Sequence, residues 1–323
     1  MFVKLEKKHI ETIYEFLNND FTDDTTYAAI SILGWMAPFK PEVEITDKYA
    51  VIKFIDSNGI VGYLTPLVKD KKDFDAAIKQ LYEYKASQIH GVLDWQIETL
   101  KKYGYEVKYS RNISEYLYDP KSLITLIGKK YHSKRNFINR FPKEYVWRPY
   151  DGSKEDKEEI YNMFCKWCHW RTGGDVKPCE DENWKKSPKM VEAGYDLESD
   201  VLEMMLEDCD TFSCMVDILE VDGEIAGFVG GEILPNNIGA IYFQKGDIQY
   251  RGIYPLIDNL FCKTHFDIPN LRYINKQEDM GIEGLRKSKE SYNPVKLADR
   301  YIATQSFDGK EVKVSMKALN IGV

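Results

Sequence analysis

The chain has 323 residues, 43 % hydrophobic and 30 % charged, with a net charge of −8, which is enough material for two lobes that each bury a core. No apolar run approaches the roughly 18 residues a membrane span needs, and the acidic balance has the wrong sign for a protein that coats itself in nucleic acid. The first residues, Met1 to His9, alternate charged with apolar side chains and lack a signal-peptide core, so the expected location is the cytoplasm.

In chain order, residues 2–5 read as a strand, 8–18 as a helix and 25–35 as a second helix. Residues 49–56 and 60–68 form a hairpin across Ser57-Asn58-Gly59. A helix at 73–88, a short strand near 91–93, a helix at 94–103 and a strand at 105–110 follow. The spacing then predicts a bridging helix over 121–141, entered at Asp119-Pro120.

Beyond it, a strand at 144–150 leads to a helix at about 153–170, with Ser153 as N-cap and Asp156 as its capping-box partner. After a loop rich in Gly, Pro and charge (171–188) comes helical sequence at 188–208. Three strand-like runs then occupy 211–221, 224–234 and 238–245. Asp222-Gly223 makes a tight hairpin turn between the first two. The turn Gln249-Tyr250-Arg251-Gly252 opens a helix to about 266, and Pro255 stands in its first turn, where it is tolerated. A strand at 271–275, a helix from the Gly281-x-x-Gly284 pair onward and a β-rich tail at 295–316 complete the chain. The two halves share an order of elements, which implies a duplicated fold: a first lobe at 1–119, a basic bridging helix at 120–143 and a second lobe at 144–323.

Six cysteines are expected to be reduced core thiols. Cys165-Lys166-Trp167-Cys168-His169 has the haem-attachment spacing, but Cys168 falls on the apolar face of a helix and no export signal is present. A zinc site from Cys165, Cys168, Cys179 and a His lacks a second closely spaced ligand pair, so no metal is expected.

Two constellations carry chemistry. In the segment 275–292, Asn275 closes a strand, Glu278 and Asp279 follow, and a helix then presents Arg286, Lys287, Lys289 and Tyr292. Acids at a helix start and bases beyond it suit the helix dipole, yet strand-to-helix handovers are also common ligand sites. The second is a basic stripe without acids, Lys129, Lys130, Lys134, Arg135 and Arg140, interleaved with Tyr131, His132 and Phe137. It suits a phosphate-rich donor such as a tRNA arm, or ion pairs with the other lobe. Glu232, on the face of Phe228 and Gly230, is the leading candidate base, although most Glu side chains are exposed. Asp279 and Glu278 are its rivals. Ser291 has no triad context.

An antiparallel meander, a turn-plus-helix and one further strand resemble the GNAT N-acyltransferases. There the turn before the central helix holds an anionic group on free N–H groups; here Gln249, Arg251 and Gly252 occupy that place. More specifically, Gly128 to Phe141 and Asn275 to Pro294 resemble the bacterial family related to the C-terminal domain of phosphatidylglycerol lysyltransferases, and the resemblance covers nearly the whole chain. It implies an α+β tandem GNAT-like fold of two mixed, mostly antiparallel sheets flanked by helices. The implied activity is acyl or aminoacyl transfer to an amine or hydroxyl, from aminoacyl-tRNA or acyl-coenzyme A as donor substrate, with no tightly bound cofactor. The partners would be tRNA and a small-molecule acceptor. Catalysis would fall to Glu232 and Asp279, and substrate binding to Asn275, Glu278, Arg286, Lys287, Lys289 and Tyr292. Gln244 stands where the family motif calls for an acid. That departure favours the alternative of a non-catalytic ligand- or RNA-binding module.

Overall fold

The structure is a computed structural model that describes residues 1–17, 21–56, 58–141, 144–174, 184–307 and 309. Two mixed sheets form its frame. In the second sheet, Met215–Val221, Glu224–Leu234 and Ile238–Gly246 run as an antiparallel meander. Helix Ile253–His265 then carries the chain over to Tyr273–Asn275, which pairs parallel with Ile238–Gly246. The first sheet repeats the pattern: Glu42–Ile45, Tyr49–Ile55 and Val61–Leu64 alternate, helix Phe74–Glu83 crosses over, and Gln88–Val92 pairs parallel with Val61–Leu64. A parallel pair requires such a crossover, and an antiparallel one only a turn. The fold is thus tandem GNAT-like.

The turns follow local chemistry. Asp222 and Gly223 both take positive φ, 55° and 82°, as a two-residue turn between twisted strands demands. A bulge between Gly230 and Gly231 leaves Tyr242 without an opposite residue, so Tyr242 and Phe243 both enter the same core. A Cβ at Gly231 would lie 2.2 Å from the Ala240 carbonyl, so only glycine fits there.

The lobes exchange strands. Glu115–Tyr118 belongs to the second sheet, between Lys296–Ala298 and Tyr273–Asn275. Tyr301–Thr304 returns to the first sheet, between Gln88–Val92 and Glu106–Tyr109. The expected division at 119/120 is therefore not the division between the sheets. The two crossing points are tied together: the Ser110 N–H donates to the Arg300 carbonyl at 2.8 Å, and the Arg300 N–H to the Ser114 hydroxyl at 3.2 Å. One apolar core spans both lobes, with Trp35 stacked on Phe243 at 5.9 Å between ring centroids.

Four expected helices are shorter or broken; the one expected at 73–88 ends at Glu83, and Gln88 already opens the following strand. The bridging helix divides into Pro120–Thr125 and His132–Asn139. Leu126 and Gly128 sit at positive φ and the buried Tyr131 anchors the turn between them, so local backbone overrides the continuous pattern. The stretch 188–208 breaks at Gly194, which caps Pro188–Ala193 in the left-handed conformation before Tyr195–Glu207 begins. Of residues 25–35, only Ile30–Trp35 is helical, as a widened turn in which the Met36 N–H reaches back to the Ser31 carbonyl. Ser153 does cap Lys154–Arg171. The Asp156 carboxylate does not complete a capping box but binds the Arg148 guanidinium at 2.6 Å. Cys165 and Cys168 are buried on that helix, Cys179 lies outside the described residues, and the expected tail is described only through Lys296–Ala298 and Tyr301–Thr304.

Candidate functional site between the lobes

Asn275, at the end of its strand, faces the first lobe. Its side-chain amide donates to the Asp23 carbonyl at 3.1 Å and to the Glu115 carboxylate. Its oxygen accepts from the Gln277 N–H at 2.7 Å, a local turn that fits Asn at a strand end. Glu115 is also held by the Thr25 N–H at 2.9 Å and the Thr25 hydroxyl at 3.1 Å.

Immediately beyond, a cavity opens between the lobes, walled by Thr25 and Gly91 from the first and by Glu115, Gln277, Glu278 and Arg300. Glu278 differs from its neighbours. No other side chain among the described residues hydrogen-bonds its carboxylate, and burial pushes it up to about 7 against the pull of the Lys289 ammonium. Glu115 is likewise raised to about 7, by burial and by the nearby Glu278. Arg300, 2 % exposed, touches Asp24 as an ion pair, but its Nε and Nη2 have no partner in hydrogen-bonding geometry. Burial pushes it down to about 9, so it is charged at neutral pH. A carboxylate that titrates near neutrality and a guanidinium with unspent donors thus share one cavity. That is the equipment for accepting a proton and holding an oxygen.

Asp279, one residue on, is in the opposite state. Its carboxylate accepts from Arg286 Nε at 2.8 Å and Nη2 at 2.9 Å, Arg111 at 3.0 Å, Tyr116 at 2.6 Å and the Gly281 N–H at 2.9 Å. Burial alone would raise its pKa; these donors hold it well below the usual carboxylate range. A carboxylate has about four acceptor positions, so none is left for a substrate proton. Arg286 is consumed in the same contact. Lys289 donates to the carbonyls of Lys276 and Glu278 and clamps the backbone that presents Glu278. Lys287 is exposed and pairs with Glu283 on its own helix.

Glu232 is fully buried and raised to about 7 by desolvation, which the hydroxyls of Tyr242 and Tyr14 partly offset. Its cross-strand partner Ala240 is in turn the partner of Asn275, so all three share one face, with Glu232 and Asn275 about 10 Å apart by strand spacing. Glu232 is not on the cavity wall. It joins the lobes through Tyr14, whose hydroxyl also accepts the Ala29 N–H at 2.9 Å.

The expected anion site is covered only at Gly252, with Gln249 and Arg251 exposed. Gly252, at φ 96°, caps Ile253–His265, and a Cβ there would lie 2.7 Å from the Phe137 carbonyl oxygen. The Arg251 guanidinium lies over the Phe137 ring at 5.4 Å. Helix His132–Asn139 therefore packs against the helix start at Gly252 and presents the Phe137 carbonyl oxygen there. Gln249 is exposed, and its N–H closes a turn on Asp247 at 2.8 Å.

In the basic stripe, Lys134 donates to the Ser291 hydroxyl at 2.7 Å and lies over the Tyr292 ring at 3.6 Å. Burial and the Lys276 charge lower it to about 8. Lys276 approaches the same ring at 4.4 Å and pairs with Asp258, so Tyr292 is a buried spacer and not a cavity residue. Arg135 closes the preceding turn on the carbonyls of Gly128 and Leu126. Lys129, Lys130 and Arg140 are exposed, and no described acid pairs with any of the five. The residues that sequence reasoning missed are Glu115, Arg300, Arg111, Tyr116 and Thr25. A signal existed for Glu115, an acid within the buried run Glu115–Tyr118; none marks Arg300 or Arg111.

The family model for the phosphatidylglycerol lysyltransferase C-terminal region matches residues 34–304. An uncharacterized protein of Mycoplasmoides gallisepticum is 25 % identical over 228 residues, 70 % of this chain and 67 % of that one. Among solved structures, a protein of unknown function from Bacteroides thetaiotaomicron has a TM-score of 0.80 at 23 % identity, covering 94 % of this chain and 99 % of that chain. L-PGS from Bacillus licheniformis has a TM-score of 0.62 at 15 % identity, covering 95 % and 93 %. At these identities the two structures establish the fold alone. No helix among the described residues is long and apolar enough to cross a membrane.

Proposed function

The chain belongs to the phosphatidylglycerol lysyltransferase C-terminal family, and from that premise we propose that it transfers an acyl group, by preference an aminoacyl group, to an amine or hydroxyl acceptor in the cavity between the lobes. The single observation that carries the reading is Glu278, a buried carboxylate on the cavity wall, unengaged by other side chains and poised near neutrality. A general base works best with a pKa close to the working pH. The acceptor N–H or O–H attacks the acyl carbonyl carbon and its proton passes to Glu278. The donor oxygen or sulfur leaves with the bonding electron pair and takes up that proton. Arg300 supports the negative charge that develops on the carbonyl oxygen. Asp279, Arg286 and Lys289 position Glu278 and do not touch substrate.

Two features favour aminoacyl-tRNA over acyl-coenzyme A as donor. The Phe137 carbonyl covers the helix start at Gly252, where a coenzyme pyrophosphate would have to compete with an oxygen. Lys129, Lys130 and Arg140 remain exposed without acid partners, as contact with a phosphate-rich donor requires. The test offers the purified chain a labelled aminoacyl-tRNA pool and, separately, acetyl-coenzyme A, with a panel of amine and hydroxyl acceptors. Transfer from charged tRNA that disappears in Glu278→Gln supports the proposal. Transfer from acetyl-coenzyme A alone overturns the donor assignment. Binding of charged tRNA without turnover, unchanged in Glu278→Gln, would favour the non-catalytic module, a reading supported by Gln244 and by the sealing of Glu232.

A further inference from the structure

The inter-lobe cavity has a neighbour in the first lobe. This second cavity is lined by Phe21, Tyr27, Leu67, Val68 and Trp95, and it shares Thr26 and Gly91 with the first. Gly91, at φ 71°, has no side chain at this shared wall; a Cβ would come to 3.7 Å from the Thr26 methyl. Most polar groups around the second cavity are already engaged, the Thr26 hydroxyl excepted. Tyr27 donates to the Thr65 carbonyl at 2.7 Å, and the Thr65 hydroxyl to Gln96 at 2.7 Å. Asp24 accepts the Thr26 N–H at 2.8 Å and pairs with Arg300. What this wall offers a ligand is therefore aromatic and aliphatic surface.

The two cavities differ in size as well as polarity. The inter-lobe space, about 40 Å³, holds about three waters, the bulk of an amino-acid head group. The first-lobe space, about 10 Å³, holds about one, close to a short aliphatic extension. The polar end carries Arg300, whose Nη2 is ion-paired with Asp24 and whose Nε–H has no partner, and the Glu278 carboxylate with Glu115 beside it. At the apolar end, the Lys71 ammonium lies 4.9 Å from the centre of the Phe21 ring and 5.1 Å from that of Trp95. The aromatic faces that would attract a cationic side chain are thus occupied by a cation of the protein.

We propose that the joined cavities form a specificity site for an amino acid or aminoacyl group with a short, uncharged aliphatic side chain. Its ammonium is held by Glu278 and Glu115, its carboxyl or carbonyl oxygen by Arg300, and its side chain points past Thr26 and Gly91 into the first lobe. This rests on the transferase reading above and adds to it the class of the transferred group and a role for the first lobe. Lysine is excluded by the charge of Lys71 and by the lack of any unengaged carboxylate at the apolar end.

Calorimetric titration of the full chain with free valine, alanine, lysine and N-acetylvaline, and with valinamide, tests the site without turnover. Valine and valinamide are expected to bind, lysine at least about tenfold more weakly, and N-acetylvaline, which lacks the ammonium, not measurably. Arg300→Gln should abolish valine binding. Because a buried change of that kind can also cost the fold, the exposed Lys71→Ala provides the second variant: it should narrow the preference for valine over lysine several-fold. Lysine binding as tight as valine binding in the unaltered protein, or no amino-acid binding at all, overturns the proposal. Transfer of a lysyl group with no binding of aliphatic amino acids would sink this inference and leave the transferase reading standing. Aliphatic binding with no transfer from any donor would do the reverse.

Discussion

Two junctions in the second lobe hand a strand over to a helix, at 246–253 and at 275–283, and they came to opposite ends. At the first, a glycine and an arginine stand at a helix start, yet the Phe137 backbone and ring lie against them. At the second, the backbone is clamped by Lys289 and the next residue is locked to two arginines, while Glu278 is left facing open space between the lobes. A helix N-terminus favours an anion everywhere in proteins, but only where the packing leaves room does that preference become a site.

Four substitutions test this difference. The largest effect is expected from Glu278→Gln, which keeps the shape and removes the proton acceptor. Transfer should fall roughly 10²- to 10⁴-fold without a lower unfolding midpoint, and the wild-type rate should rise with pH through about 7 as the carboxylate ionises. A flat pH profile would remove Glu278 from the chemistry. Next, Asp279→Ala strips the clamp and leaves Arg111 and Arg286 without their shared partner. Breaking such a buried pair costs roughly 3 kcal/mol or more, visible in denaturant titration. If stability held while turnover fell, Asp279 would have a chemical role that its five donors argue against.

Glu232 separates burial from catalysis. Its folded pKa, about 7 against the ordinary 4.5 of a glutamate, means that the folded state holds the proton more tightly than the unfolded one. Its contribution is therefore present below about pH 4.5 and is lost as pH rises through about 7, at a total of roughly 3 kcal/mol. Glu232→Gln, which cannot ionise, should flatten the fall in stability between pH 5 and 8 in paired denaturation curves. If the slope is the same in both proteins, the carboxylate titrates elsewhere. The smallest effect is expected from Gly252→Ala. A Cβ 2.7 Å from the Phe137 oxygen at φ 96° should destabilise by roughly 1–3 kcal/mol without altering donor binding. Loss of acetyl-coenzyme A binding in that variant would reopen the first junction as an anion site.

Much of the frame was legible in the residues. The strand-like runs at 224–234 and 238–245, the Asp222-Gly223 turn and the Ser153 cap are local signals, and each produced the expected element. The basic stripe was legible as composition, but its continuous helix was not, because a left-handed Leu126 has no signature in the pattern. At the site, the segment 275–292 stood out by its charges. Which of its two acids is tied up by donors was not legible, because Glu278 and Asp279 differ in nothing that spacing can show.

What the sequence determined by itself was the order of elements, the duplication and the family motifs, since periodicity and turn chemistry act over a few residues. The tertiary structure decided which acid keeps a usable proton site. Asp279 is saturated by Arg111 and Tyr116, 168 and 163 positions away, and Glu278 is spared because no other described side chain donates to it. The strand exchange that carries Arg300 back to the first sheet brings its charge to the cavity. Proton affinity and open space are properties of what surrounds a side chain, and in this fold those surroundings are assembled from both ends of the chain.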